Sequence, residues 1–176
     1  GIDASSHLMH VQLDVIKRDD VTVNLREPRE ASAREEIARL PGVLRAEGFR
    51  ATAVWLRHGH RAKKVALVGI DADDTLHRLV DRRLRRVDLP PEGLALGRKL
   101  AEILGVRVGD TVTVEVIEGA RPVREVPVSA IVDEYLGLGA YMDRSALARL
   151  LREDRLVSGA RLRVDPAQAP RLYAEL

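Results

Sequence analysis

The 176-residue chain contains no cysteine. Disulfide staples and thiol chemistry are therefore excluded. Aromatic residues make up only 3%, with one Trp and one Phe. Any core must be built from Val, Leu, Ile and Ala, and few rings are available to stack on nucleic-acid bases. No apolar run approaches the roughly 18 residues of a membrane span, and no signal-peptide pattern is read at the start. Neither charge dominates: 29 Lys and Arg stand against 27 Asp and Glu, for a formal net charge of +2. With both signs interspersed, an overall field strong enough to select a polyanion is not expected. What remains, 45% hydrophobic and 32% charged residues, is the composition of a globular chain long enough for one domain or two small ones.

The most informative stretch runs from Leu94 to Val132. Leu100, Ala101 and Leu104 recur at helical spacing, so Arg98–Leu104 reads as a short amphipathic helix. Gly105 follows its last periodic residue, where a helix turns left-handed at least cost in glycine. Gly109-Asp110 is a tight turn. The period then changes to two: Val112, Val114 and Val116 face one way, and Thr111, Thr113 and Glu115 the other. After a turn at Glu118–Pro122 the alternation resumes with Val126, Val128, Ala130 and Val132. This unit is expected to hold its own core, built from Leu100, Leu104, Val112, Val114, Val128 and Val132.

Upstream, Gly1–His10 reads as a leader, a cloning remnant or disorder, and Val11–Ile16 as a strand or extended arm. Val21–Leu25 alternates as a strand. Glu27-Pro28 is placed at the start of a helix, with Ala33, Ile37, Ala38 and Leu40 buried and Pro41-Gly42 ending it. A hairpin follows, with its tip at His58-Gly59-His60 and a return strand at Ala62–Ile70 expected to be buried on both faces. Asp71–Asp74 can cap a short helix at Thr75–Val80. Asp81–Arg86 is a charge run, read as a solvated helix end or loop. Asp133–Gly139 is a loop, Ala140–Met142 a short strand, and Asp143 the cap of a helix over Arg144–Arg152. Arg161–Val164 is a strand. Asp165-Pro166 opens a last helix with Leu172, Tyr173 and Leu176 inward.

The order strand, Pro-started helix and Leu-rich helix end occurs twice, at Val21–Val43 and at Ala160–Leu176. It predicts an α+β fold in which a subdomain of two βαβ halves, 11–70 and 158–176, which the family resemblance below makes porter-like, is interrupted by a smaller β-rich subdomain with short helices, 71–157.

Three motifs then suggest a family. Val68-Gly69-Ile70-Asp71, the helix-turn-strand from Leu94 through Gly109-Asp110, and the strand Val126–Val132 together resemble the extracytoplasmic domain of FtsX-like, MacB-type ABC transporter permeases. Leu40-Pro41-Gly42-Val43 fits the same pattern. The resemblance covers roughly Val11 to Leu176. It implies a non-catalytic domain outside the cytoplasm, at the cell membrane, that couples ATP-driven motion of transmembrane helices to a substrate or partner. The implied partners are a cytoplasmic ATPase subunit, a second permease or permease half, and an extracytoplasmic protein, lipid or small molecule. Neither a cofactor nor a nucleic acid is implied. In such proteins the closing strand of the second half would follow Leu176.

Chemistry-bearing residues offer two alternatives. His58, His60 and Asp71 could hold a metal for hydrolysis, although a fourth ligand at zinc spacing is missing. The arginines of Arg82–Arg86 could grip nucleic-acid phosphates. Asp73 and Asp74 are more simply a helix cap than an acid–base pair. The glycines form no phosphate loop, and no serine sits in a nucleophile elbow. A different kind of candidate is the loop carrying Leu136, Leu138 and Tyr141. Apolar residues between glycines beside a strand fit either a buried corner or an exposed partner contact, and contact is the expectation adopted.

Overall fold

The computed structural model describes residues 9–11, 20–71, 79–80, 86–133, 138–154 and 156–175. In chain order the elements are β1 (Met9–Val11), β2 (Asp20–Glu30), α1 (Ser32–Ala38), β3 (Val43–His58) and β4 (Arg61–Ile70). Two-residue strands β5 (Leu79–Val80) and β6 (Arg86–Val87) follow. Then come β7 (Leu94–Gly97), α2 (Arg98–Leu104), β8 (Thr111–Val116), β9 (Val123–Val132), β10 (Ala140–Asp143), α3 (Arg144–Leu151), β11 (Leu156–Val164), a 3-10 turn (Pro166–Gln168) and α4 (Ala169–Glu175). The fold is mixed α+β. It divides into two compact units, one drawn from Gly1–Arg50 and Asp154–Leu176, the other from Ala51–Asp74 and Arg78–Glu153.

The first unit is an antiparallel sheet in the order β1-β2-β11-β3, in which β3 contributes its first half. Because β11 runs antiparallel to both β2 and β3, those two strands are parallel, and α1 makes the crossover between them. Val21 and Val23 of β2, Leu162 of β11, Ile37 of α1 and Leu172 of α4 share one buried cluster. Each such fully buried side chain contributes about 1.5–3 kcal/mol.

Several expectations are corrected here. Pro28 lies within β2, not at a helix start. Between the Val157–Arg29 and Gly159–Asn24 pairs the register jumps, and this irregularity leaves room for a residue without an N–H. Met9 and His10, assigned to a leader, pair with Leu25 and Asn24 as part of β1. Thus β1 occupies the outer edge of β2. Tyr173 is 43% exposed, so only Leu172 of the inward set is seen buried. Residues 12–19 and Leu176 lie outside the described residues.

The second unit is a closed barrel. Its strands follow the order β3-β4-β10-β7-β9-β8, and β8 pairs back onto β3 through Val54–Val116 and Leu56–Val114. Closure removes free edges. The interior is filled by alternate aliphatic side chains, with Val54, Leu56, Leu67, Leu94, Leu96, Val112 and Val114 all fully buried. The expected core of Leu100, Leu104, Val112, Val114 and Val128 lies in this cluster. Val132 is buried as well. The sequence pattern groups Ala51–Ile70 with the first unit, whereas the contacts group these residues with the barrel, because β4 and the second half of β3 are two of its staves.

In β4 only Leu67, Gly69 and Ile70 are buried, so the strand is not covered on both faces. Leu79–Val80 pairs with Arg86–Val87 as a small ladder and is not the end of a helix. Asp73, Asp74 and Arg82–Arg85 lie outside the described residues.

Local chemistry explains the two barrel helices. Gly105 caps α2 at φ 67°, as the sequence predicts. The next turn, Gly109-Asp110, is tied to β9: Gly109 N donates to Val128 O at 2.9 Å and Val128 N to Asp110 O at 2.8 Å. Asp143 caps α3 by accepting from the backbone of Ser145 at 3.1 Å and Ala146 at 3.2 Å.

Candidate functional site

Three places in the barrel unit gather the residues singled out by the sequence. The first is the end of β4. Its parallel pairing with β10 brings Asp143 beside Ile70, so α3 starts against the Gly69–Asp71 segment. Arg144 is buried, and its guanidinium donates to Asp71 Oδ2 at 2.9 Å. Gly69 makes this approach possible: a Cβ there would stand 2.9 Å from Leu147 Cδ2 and 3.2 Å from Arg144 Cα. The Gly-x-Asp motif is thus a docking point for a helix and its buried cation. Nothing local marks Arg144 as the partner, since 73 residues separate the two.

The second is the tip of the β3–β4 hairpin. His58 Nδ1 lies 3.2 Å from Leu104 O. Arg61 donates to Glu102 O at 3.3 Å and Ile103 O at 3.5 Å. Both side chains meet the last carbonyls of α2, where unsatisfied acceptors and the negative end of the helix favour donors and cations. His60 is exposed. Asp71 stands at the far end of the ten-residue β4, about 30 Å away at the rise of an extended strand. His58, His60 and Asp71 therefore cannot share one metal ion. Among the described residues, no group of three or more His, Cys, Asp or Glu is placed to hold one.

The third is the segment leading into β10. Leu138 is 44% exposed and Tyr141 half-buried. The Tyr141 ring folds back over Gly139 so closely that a Cβ on Gly139 would collide with it. Gly139 O accepts from Gly97 N at 2.8 Å. Asp133, before the loop, pairs with Arg98, and this carboxylate raises the Arg98 pKa still further above its ordinary value, through the hydrogen bond first and its charge second. Both flanks of 134–137 are thereby fixed at one point, the junction of β7 and α2. Leu136 lies outside the described residues. Arg98 was missed by the sequence reading, because nothing local marks a helix-start arginine as a loop anchor.

No family model matches the chain, and no curated protein does. Solved structures do. The extracellular domain of the noncanonic ABC-type transporter YknZ from Gram-positive bacteria superposes with a TM-score of 0.53 at 13% identity, over 92% of this chain and 85% of that one. The periplasmic region of MacB from Actinobacillus actinomycetemcomitans gives 0.49 at 12%, over 78% of this chain and 65% of that one. At such identities the likeness is one of fold. The chain shares, distantly, the fold of an extracellular domain of an ABC-type transporter.

Proposed function

We propose that this chain is the non-catalytic extracytoplasmic domain of an FtsX-like, MacB-type ABC transporter permease. In this role it transmits the motion of transmembrane helices, driven by a separate cytoplasmic ATPase, to a substrate or partner outside. The observation that carries the reading is the fold likeness to the YknZ extracellular domain over 92% of the chain. It is supported by motifs whose residues do structural work: Gly69 and Asp71 seat α3, and Gly105 and Gly109-Asp110 shape the barrel. Among the described residues no helix is long and apolar enough to cross a membrane; in this reading the spanning helices belong to the rest of the permease. The first unit is read as porter-like, with β2-α1-β3 as one βαβ half and β11-α4 as the start of the other. Leu136, Leu138 and Tyr141 are the proposed partner contact, and a second permease or permease half completes the transporter.

A topology experiment tests the reading. The chain lacks cysteine, so Ala120→Cys, in the exposed turn between β8 and β9, places a single exposed thiol in it. In intact cells carrying the whole gene product, a membrane-impermeant maleimide is expected to label that thiol. Labelling that appears only after lysis would refute the extracytoplasmic assignment. Metal-dependent hydrolysis through His58, His60 and Asp71 gains no support from the geometry.

A further inference from the structure

From Gly48 to Ile70 the sequence carries no Asp or Glu, although acids and bases are interspersed elsewhere. The same stretch holds Arg57, Arg61, Lys63 and Lys64 near one hairpin end. β10 pairs with β4 over Leu67–Ile70, and the strand from Arg61 to Lys64 extends past that partner with all four residues exposed. Two of the cations are engaged. Arg57 pairs with Glu115 at 3.1 Å and lies 5.1 Å over the Trp55 ring, and Arg61 meets the end of α2. The side chains of Lys63 and Lys64 make no hydrogen bond or ion pair with any described residue.

The form of this surface selects among anionic partners. Adjacent strand residues point to opposite faces, so no single small anion can be held by both lysines. A lysine ammonium is a mobile point charge without the fork of an arginine, so it sets no fixed geometry for a small anion. Trp55, the one large aromatic of the barrel part of the hairpin, Ala51–Ile70, is half-buried beneath Arg57, so no ring is offered to a base. An exposed cationic strand end with charges on both faces suits an extended anionic surface that can meet it from several directions.

We propose that the hairpin end, Arg57–Lys64, is a contact surface for an anionic phospholipid bilayer. The choice of a bilayer rests on the extracytoplasmic reading above, which keeps the domain beside a membrane. Each lysine near an anionic bilayer raises the partition coefficient about fivefold.

The test is co-flotation of the purified chain with vesicles of phosphatidylcholine alone or with about 40 mol% phosphatidylglycerol, whose anionic headgroups give the bilayer a negative surface potential. Binding is expected only to the anionic vesicles, and to fall at about 0.5 M salt as the charges are screened. Lys63→Ser with Lys64→Ser is expected to lower the partition at least about tenfold. Arg39→Ser with Arg171→Ser removes the same charge from exposed positions of the first unit, and is expected to leave it within about twofold. Equal binding to neutral vesicles, no binding to either, or equal loss in the two double variants would each overturn the proposal. The outcome does not depend on the maleimide topology, so the two readings fail separately.

Discussion

Gly69→Ala is the substitution that most directly tests the seat of α3. The added methyl would stand 2.9 Å from Leu147 Cδ2 and 3.2 Å from Arg144 Cα. Neither can retreat cheaply. Leu147 is fully buried in the barrel cluster, and Arg144 Cα is backbone fixed by the Asp143 cap and the bond to Asp71. Overpacking of this kind costs about 1–3 kcal/mol. Replacing Gly by Ala also returns about 0.4–1 kcal/mol by restricting the unfolded chain. The steric term wins, leaving a net loss of about 1–2 kcal/mol, or a fall in melting temperature of about 2–8 °C for a chain of this length. Trp55 is the sole tryptophan and lies on a barrel strand, so its fluorescence during urea unfolding follows this unit. Leu147→Ala removes the offending methyl and should itself cost about 2–5 kcal/mol. In that background Gly69→Ala should cost measurably less, a coupling of at least about 0.5 kcal/mol. A Gly69→Ala midpoint at or above wild type, or strict additivity of the two changes, would show that the helix does not rest on the glycine.

Two further outcomes test the barrel core and the contact loop. Val114→Ala, in β8 opposite Leu56, should destabilise the barrel by about 1–3 kcal/mol through the cavity it leaves; an unchanged fluorescence midpoint would place Val114 outside the core. Leu136→Ser with Leu138→Ser should change stability by no more than about 0.5 kcal/mol, as surface substitutions do, while impairing transport in the whole transporter and sparing basal ATPase activity. Unfolding of the chain by this pair would make the loop a core corner and end its candidacy as a contact.

Local signals were legible because their causes are local. The Gly105 cap, the Gly109-Asp110 turn, the two-residue alternation of β8 and β9 and the Asp143 cap each depend on residues within one or two turns. Pro28 misled for the opposite reason. Its suitability for a helix start is a local preference, and the pairing of β2 with β11, more than 120 residues downstream, overrode it. The extent of β1 and the membership of Ala51–Ile70 were hidden in the same way, since both are decided by which strands become neighbours. At the candidate sites, sequence supplied the glycines and Asp71 but not Arg144, Arg61 or Arg98. Those arginines act across 35–73 residues of chain, and an arginine in a charge-rich sequence carries no mark of its partner.

The closed barrel also has a history in time. Its last seams join residues far apart in the chain: Val54 with Val116, and Leu67 with Ala140. Each seam must first overcome the entropy of closing a long loop, and the parallel one cannot be reached through a tight hairpin. Such wiring belongs with chains that fold in milliseconds to seconds rather than microseconds. On the ribosome β4 would wait, its valines and leucine uncovered, until the segment through Asp143 had emerged. At about 5–20 residues per second, that wait lasts several seconds. During it the lysines at the start of β4 would have an earlier use, since charges beside the open edge of a hairpin discourage the wrong neighbour from pairing with it.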